Sequence, residues 1–547
     1  MAGGLLNLVS EGSMNAFLTG NPSITFFKTK YKQYTNFGLQ KFRLDFRGQR
    51  SLRLTEDSIF TFKVPRYADL LMDTFMCIRL PHIWSPIREV TDGSGHSCCV
   101  PYEFKWINNI GTEMIRNIRF LAGGQVIQEF GGDYQLAMKE RDFDGTKRQL
   151  YNTMTGNLPE LYDPSYPTSG GQLMYPSIIP SVHNPAPSIL GRLLYVPLNI
   201  WFTVAAKMAY PLISTQYCEL EIEITLRPIN ELFTINSPSE NGNVSLAPNF
   251  TEPDQALKLF LQPPPTKEPQ PNCSSPITVS PADYSDDLVN WDADLHLIAT
   301  YAFLSKDEAT QFAAKPQRYL TTQIHTTIFN DVVQTAKLRL YSLGMVKAYM
   351  WFLRRSDVKL RNQWANFTNK NYEGTPRLQL EHCNARDSCE TESKSVEFGY
   401  CPFAFSQGDS PEIMKRWFLD LGGKSREDPL DEGVLSYVEQ YARSSGSAKQ
   451  GLYFYNFCLN TSPIVFQPTG GINMSKFNKI EMGVETVNPP LVESLGVSVV
   501  CGVNQQEIGT VKNVDDLYRY SYDLVLFEER YNILNIENGM AGLMYAR

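Results

Sequence analysis

Alternation of apolar and polar residues recurs along the whole chain, and this period of two constrains the fold more than any other feature. In the clearest run, from Leu220 to Leu226, apolar side chains alternate with Glu or Thr. Successive side chains of a β-strand point to opposite faces, so the run predicts a strand with one face buried. Similar runs occur at 41–46, 60–64, 337–341, 377–381 and 497–503. Strands in both halves of the chain predict an all-β protein.

Helix signals are few. Ser305 to Glu308 reads as a capping box before a helix that reaches Ala314. Ser410 and Pro411 predict the start of a second helix, which Gly422 and Gly423 would end. A third is predicted from Asp431 to Arg443. Such sparse helices do not give the regular alternation of strands and helices that is typical of a parallel α/β sheet.

A proline-rich stretch divides the chain into two halves of similar size. Ten prolines fall between Ile229 and Ala282. Proline lacks a backbone donor, so this stretch predicts a loop or linker. The predicted organisation is an arm at 1–24, a first β-domain at 25–228, the linker at 229–294 and a second β-domain at 295–547, with an insertion at about 354–450.

Charge is unevenly distributed. The whole chain carries a formal charge of −8, whereas residues 1–50 hold seven Lys or Arg against Glu11 and Asp45. A basic amino-terminal segment on an acidic body suits contact with an anionic surface. Lysines on a strand edge, which oppose aggregation, explain the same pattern about equally well.

Nothing in the sequence predicts secretion or membrane insertion. A basic leader with an apolar core is not seen after Met1, and Ala2 does not fit N-myristoylation. The most apolar stretch, Leu193 to Ala206, is shorter than the roughly 20 residues that a membrane-spanning helix needs. We therefore expect synthesis in the cytosol.

Motifs for catalysis or metal binding are weak. Neither an HExxH pair nor a CxxC pair occurs, and Walker A, GxGxxG and GxSxG motifs are also missing. Two loose clusters remain, His96 with Cys98 and Cys99, and His382 with Cys383, Cys389 and Cys401. The second could hold a metal or a disulfide, but ordinary thiols account for both more simply. We predict no enzyme activity, no metal and no cofactor.

Six Asn-x-Ser/Thr sequons are weak candidates for glycosylation, because chance alone yields several in a chain of this length. They lie at Asn243, Asn249, Asn272, Asn366, Asn460 and Asn473.

An ordered series of motifs runs from one end of the chain to the other. The series opens with Met1 to Leu6, Leu18 to Lys28 and Thr35 to Phe37. It continues through 65–70, 123–127, 194–198 and 209–213 in the first half, and through 312–316, 354–358, 530–534 and 538–543 in the second. In this order the motifs resemble those of the major capsid proteins of nucleocytoplasmic large DNA viruses.

The resemblance implies two tandem eight-stranded jelly rolls, a double jelly roll with a few short helices in loops. It also implies homotrimers with a pseudo-hexagonal outline that tile an icosahedral shell over an internal membrane. Implied partners are neighbouring capsomers, minor capsid and penton proteins and the membrane, without direct nucleic-acid contact. The implied location is the virion, assembled in the host cytoplasm. Lys28, Lys30 and Lys32 are candidate contacts on the inner face of the shell.

Two other functions are alternatives. A carbohydrate-binding β-sandwich would need solvent-facing aromatic platforms, and a glycosidase would need two carboxylates roughly 5–10 Å apart in one cleft. Neither explains the ordered motif series. The sequence leaves open the virus, the shell's triangulation number, the glycans and the thiol state.

Overall fold

A computed structural model describes residues 3–545, apart from 49–50, 92–96, 166–174, 177–185, 237–244, 266–280, 287–289, 370–411, 448, 466, 490–496, 502–506, 513–517 and 519. Within these residues the protein is built from two β-sandwiches, and all of the strand pairs in their sheets are antiparallel. No helix among them is long and apolar enough to cross a membrane.

The first sandwich contains eight main strands in two sheets. One sheet has the order β1-β8-β3, with β6 on the other edge of β3, and the second has the order β2-β7-β4-β5. The strands are β1 Phe37–Leu44, β2 Ser58–Lys63, β3 Leu70–Arg79, β4 Ile115–Ala122, β5 Gln125–Phe130, β6 Leu193–Pro197, β7 Leu220–Leu226 and β8 His296–Leu304.

The second sandwich repeats this strand order. Its sheets run β9-β16-β11-β14 and β10-β15-β12-β13. The strands are β9 Gln317–Val332, β10 Thr335–Leu340, β11 Met345–Arg355, β12 Met414–Leu421, β13 Lys424–Asp431, β14 Leu452–Asn456, β15 Ile480–Thr486 and β16 Tyr522–Glu537. Each strand of the first sandwich therefore has a counterpart eight places later, which is the arrangement of two jelly rolls in tandem.

Shorter strands and helices lie outside this framework. The strands are Ile87–Thr91, Ser97–Pro101, Glu103–Trp106, Tyr210–Pro211, Phe233–Asn236, Ile472–Asn473, Val497–Cys501, Glu507–Lys512 and Met540–Leu543. The α-helices are α1 Leu6–Val9, α2 Asn15–Thr19, α3 Ile110–Glu113, α4 Gly132–Asp142, α5 Gly145–Thr155, α6 Pro159–Tyr162, α7 Lys258–Leu261, α8 Lys306–Ala314 and α9 Glu439–Arg443, with a π-helical turn Val434–Val438 before α9. Turns of 3₁₀-helix occur at Gly3–Leu5, Trp201–Thr203, Ala206–Met208, Leu212–Ser214, Ile229–Glu231, Pro253–Gln255, Pro281–Asp283, Ser356–Leu360 and Met474–Lys476.

Apolar side chains between the two sheets form the core of each sandwich. The predicted strand Leu220 to Leu226 alternates strictly between buried and half-buried residues, which confirms its interpretation. In the second sandwich the indole rings of Trp351 and Trp417 stack with centroids 5.3 Å apart, and both side chains are fully buried.

Successive strands run in opposite directions, so their connections fall alternately at the two ends of each sandwich. At one end most of them are short and include two-residue turns, Gly123–Gly124 and Gly422–Gly423, where all four glycines have positive φ between 59° and 79°. A type I′ hairpin turn requires positive φ at both central residues, which suits glycine. The two longer connections at this end are 198–219 and 457–479. At the other end three connections of each sandwich are long, 80–114, 131–192 and 227–295 in the first and 356–413, 432–451 and 487–521 in the second, and the remaining two are 45–57 and 333–334. We call these the short-loop end and the long-loop end.

Contacts between the sandwiches support this division. At the short-loop end Ser214 donates its hydroxyl to the Phe312 carbonyl, which ties α8 to the first sandwich. At the long-loop end Asn362 donates its amide to the Phe233 carbonyl. The amino-terminal segment enters β1 at the short-loop end, because β1 leads to β2 through a connection at the long-loop end.

The predicted domain boundaries are wrong in two places. Strand β8 pairs with β1 and β3, so it completes the first sandwich, and the second begins after residue 304 and not at 295. The stretch 229–294 is thus the β7–β8 connection and not a linker between domains. Phe233, Phe260 and Trp291 pack it into the first core.

The insertion at 354–450 is also wrong in part, because β12 and β13 within it form one edge of a sandwich sheet. The helix predicted to end at Gly422 is the strand β12, and Gly422–Gly423 is a hairpin turn. The helix before Ala314 is confirmed as α8, although the Ser305 side chain makes no capping bond in it. The third predicted helix corresponds to the π-helical turn and α9. The predicted strand at 377–381 lies outside the described residues.

Candidate functional site

Glutamine side chains join the two sandwiches where the edges of two sheets meet. Gln128 of β5 donates from Nε2 to the Thr322 carbonyl of β9 at 3.0 Å, and Gln323 of β9 donates from Nε2 to the Ile127 carbonyl at 2.7 Å. Side-chain amides, and not backbone N–H groups, make these hydrogen bonds between the two edge strands. The two sheets therefore meet without forming one continuous sheet. The contact also covers part of the β9 edge, which would otherwise be open to pairing with other strands.

Helix α4 forms a second contact, because it leaves β5 and packs on the outer face of the β9-β16-β11-β14 sheet. The Tyr134 ring lies 5.7 Å from the Phe527 ring, and the Tyr134 hydroxyl donates to Glu529 Oε1 at 2.8 Å. Arg141 donates to both carboxylate oxygens of Glu529, at 2.8 and 3.1 Å. Burial alone would raise the pKa of Glu529, but the charges of Arg141 and Lys347 outweigh it and hold this pKa at about 2. Glu529 therefore stays ionised in the interior.

A second buried charge cluster lies beside the first. Arg354, at the end of β11, donates to Asp133 of α4 at 2.8 Å. Fully buried Glu113 has a carboxylate oxygen 3.9 Å from Arg227. Burial, together with the charge of Asp133, raises the pKa of Glu113 to about 7. The two sandwiches are thus joined by ion pairs as well as by apolar packing, and we expect them to move as one body.

The segment before β1, residues 3–36, is exposed throughout. It extends beyond the predicted arm at 1–24, and from here on we call all of it the arm. Phe26, Phe27 and Tyr31 are 92%, 99% and 87% exposed, which is unusual for aromatic side chains. The three candidate lysines, Lys28, Lys30 and Lys32, are exposed among them. In an extended chain these lysines would share one face and Phe27 and Tyr31 the other.

Two family models together match most of the chain. The first, described as the major capsid protein N-terminus, matches residues 25–256. The second, described as the large eukaryotic DNA virus major capsid protein, matches residues 308–542.

The chain belongs to the major capsid protein family of large eukaryotic DNA viruses.

Curated relatives support this membership along the full length. The major capsid protein of Phaeocystis pouchetii virus is 23% identical over 602 aligned residues, and that of Paramecium bursaria Chlorella virus 1 is 22% identical over 556. Both alignments cover 100% of each chain. This capsid protein therefore has a structural role in the virion, and the carbohydrate-binding and glycosidase alternatives are not favoured.

Solved structures confirm the fold. The capsid model of Paramecium bursaria Chlorella virus 1 matches with a TM-score of 0.61 at 18% identity, covering 96% of this chain and 100% of that one. The Faustovirus major capsid protein matches with a TM-score of 0.60 at 12% identity, covering 96% and 94%. The prediction of a double jelly roll is confirmed.

The four described sequons of the capsid protein share one local geometry. In each, the Asn Oδ1 accepts a hydrogen bond from the backbone N–H two residues later, at Thr251, Thr368, Ser462 and Ser475. These are Asx turns, which explain the Asn and the hydroxyl residue without a glycan. Asn249, Asn460 and Asn473 are exposed, whereas Asn366 is 6% exposed, so the folded protein has no room for a sugar there. Asn243 and Asn272 lie outside the described residues.

The Cys and His clusters stay untested. His96 lies outside the described residues, as do His382, Cys383, Cys389 and Cys401, and the side chains of Cys98 and Cys99 are likewise not described. Among the described residues, no group of three or more His, Cys, Asp or Glu is arranged to hold a metal ion. Cys77, Cys218 and Cys458 are free thiols in the interior.

Sequence reasoning missed the residues that join the sandwiches. No sequence motif marks Gln128, Gln323, Arg141 or Glu529. Arg141 and Glu529 are also 388 positions apart in the chain. The one available sign of this contact is the run of four charged residues from Lys139 to Asp142 within a segment that favours a helix. Such a run is equally typical of a solvated helix surface.

Proposed function

We propose that three copies of this capsid protein close into a ring of six sandwiches, which is one building block of an icosahedral shell. The contact inside one chain supports this proposal. It joins the β5 edge of the first sandwich to the β9 edge of the second. The β1 and β2 edge of the first sandwich is then left on one side of the molecule, and the β13 and β14 edge of the second on the other.

A head-to-tail contact between unlike edges generates a ring if its rotation closes. The two sandwiches share one strand order, so the same kind of contact can form between chains as within one. In the proposed ring, β13 and β14 of one copy face β1 and β2 of the next. A stable interface of this kind buries roughly 2,000–5,000 Å². Weaker contacts with neighbouring blocks suffice between rings, because many act together.

The two unlike ends suggest which side faces outward. We propose that the long-loop end faces the exterior, since loops lengthen there at little entropic cost. The short-loop end, with the arm, would face the interior. There Lys28, Lys30 and Lys32 would contact minor capsid proteins or the anionic internal membrane. The other proposed partners are penton proteins and neighbouring blocks. We propose that assembly takes place in the host cytoplasm and that the protein has no catalytic role.

Light scattering with negative-stain microscopy tests the ring. We expect a particle of three times the 62.1 kDa chain mass, with threefold symmetry and six lobes. A stable single chain at micromolar concentration would contradict the proposal.

A charge-reversal variant tests the arm. Replacing Lys28, Lys30 and Lys32 by Glu should abolish co-sedimentation with phosphatidylserine vesicles and leave the particle mass unchanged. The control reverses Lys359, Lys415 and Arg416, three exposed cations at the long-loop end, and should not alter vesicle binding. Equal vesicle binding by both variants would contradict the proposed contact between the arm and the membrane.

A further inference from the structure

The connection that follows β5 has a counterpart that follows β13. In the first sandwich this connection begins with α4, and nine residues of that helix are buried. Of these, Tyr134, Arg141 and Asp142 bond to residues of the second sandwich. In the second sandwich it begins with the π-helical turn Val434–Val438 and α9, which we together call the counterpart helix. Both helices leave the same position of the same strand order.

The counterpart helix has an apolar face that is exposed in the part of the chain that the structure describes. Tyr437, Val438 and Tyr441 are 59%, 57% and 93% exposed. The opposite side is fixed, because Leu435 is fully buried and Gln440 donates to the Glu140 and Ser447 carbonyls at 2.9 Å. The exposed aromatic face is therefore held in one orientation. π-Helical turns are uncommon and often mark functional positions.

The surface that α4 covers also has a counterpart. Helix α4 packs on the outer face of the β9-β16-β11-β14 sheet, and the equivalent sheet of the first sandwich is β1-β8-β3 with β6. Its outer face carries Leu39 and Lys41 of β1, which pair with Ala302 and Thr300 of β8. Side chains of paired residues share a face, and Phe42 and Leu44 point the other way into the core. Phe37 and Leu39 on this outer face are 52% and 55% exposed.

We propose that the exposed face of the counterpart helix docks on the outer face of the β1-β8-β3 sheet of a second copy of this chain. On the receiving sheet, Ala302 is already covered by Phe312 of α8 in the same chain, so the exposed apolar part is Phe37 and Leu39 of β1. The internal contact of α4 is the precedent, and repetition of that contact would bring this part of the sheet together with the exposed face of the counterpart helix. Asp73 of β3 is half-buried on the receiving sheet, so this sheet offers an acidic acceptor for a tyrosine hydroxyl, as Glu529 does for Tyr134. This inference rests on the proposed ring and names the residues that close it.

Replacing Tyr437 and Tyr441 together by Asp tests the docking. Loss of two buried aromatic contacts should raise the concentration at which the particle dissociates into single chains by at least about tenfold. The control is Tyr341→Asp, which alters a tyrosine that is 75% exposed in a short connection at the other end and should leave the mass unchanged. Since all three tyrosines are exposed, the circular dichroism spectrum should not change.

Cross-linking gives a readout that does not depend on affinity. Chains carrying Leu39→Cys are co-expressed with chains carrying Tyr441→Cys and oxidised. A disulfide-linked dimer is expected in the mixture, above the background that either variant gives alone. A wild-type protein that is a single chain would overturn the ring and the docking together. A wild-type trimer whose Asp variant keeps its mass, with no cross-link in the mixture, would overturn the docking alone.

Discussion

Arg141 and Glu529 form a two-point ion pair across the contact between the sandwiches, with 2.8 and 3.1 Å between guanidinium nitrogens and carboxylate oxygens. Their side chains are only 1% and 2% exposed. Arg141 also pairs with buried Asp142, and Glu529 also faces Lys347 at 3.8 Å. Removing Glu529 therefore leaves the two buried cations Arg141 and Lys347 with Asp142 alone, and one buried positive charge loses its compensation, which costs more than the intact pair contributes.

Replacing Glu529 by Gln should therefore lower the free energy of unfolding by about 3–5 kcal/mol. Urea unfolding followed by tryptophan fluorescence measures the change. The control is Glu56→Gln, which breaks the exposed pair with Arg53 and should cost no more than about 1 kcal/mol. Equal effects of the two substitutions would show that burial of the pair is unimportant.

Acid should remove the contribution of Glu529 to the free energy of unfolding. Its pKa falls from the ordinary 4.5 to about 2 in the folded protein, so the stabilisation is fully present above pH 4.5 and is lost as the pH falls towards 2. The unfolding midpoint of the wild type should drop across that window more steeply than that of Glu529→Gln. Parallel curves would contradict the assignment.

Glu113 should show the opposite dependence. Because its pKa rises from 4.5 to about 7, the folded protein retains a proton that the unfolded chain releases between these values, and stability falls as the pH rises through them. Glu113→Gln removes this proton uptake. The free energy of unfolding of Glu113→Gln, measured by urea titration and compared with that of the wild type, should therefore increase from pH 4.5 to 7. A difference between the two proteins that does not change with pH would contradict the raised pKa.

Alanine at Gly124 or Gly423 should destabilise the protein by roughly 1–2 kcal/mol through the backbone alone. Both have positive φ, +78° and +79°, and a Cβ would meet nothing within 4 Å. Gly38→Ala is the matched control, since that site is equally open and has no positive φ. Thermal unfolding should show a lower Tm for the two turn variants and no loss for the control.

Asn366 and Asn473 make the same Asx turn at different depths. Asn366 is 6% exposed and accepts from both the N–H and the hydroxyl of Thr368. Replacing it by Ala should cost about 1–3 kcal/mol, because a buried acceptor is removed and the two half-buried donors of Thr368 lose their partner. Asn473→Ala should cost only a few tenths of a kcal/mol, since water can reach the freed donor. Chemical denaturation of the two variants compares them directly.

Local patterns predicted much of the fold, and the errors have physical causes. Leu220 to Leu226 was interpreted correctly because its alternation is unbroken. In β12 a bulge between Met414 and Arg416 places the buried residues Met414 and Trp417 three positions apart, which resembles the spacing of a helix. Strand β8 was assigned to the wrong half because its partners in β1 lie more than 250 positions away, and no local pattern records such pairing.

The contact between the sandwiches could not be predicted at all. The sequence of α4 scatters Tyr134, Leu136, Ala137 and Met138 among polar and charged residues and has no single apolar face, which usually indicates a solvated helix. Its charges are buried only because Glu529 and Arg354 come from distant strands. The arm was predicted to be basic, and its aromatic exposure is a property that only the structure reveals.

Helix α8 ties two barrels into one polypeptide, and this tether changes the mass action of assembly. A ring of six separate barrels would form in proportion to the sixth power of their concentration, whereas the proposed ring of three linked pairs depends on the third power. Completed rings would therefore appear at much lower protein levels early in an infection, and equal numbers of the two barrel types are guaranteed by translation itself.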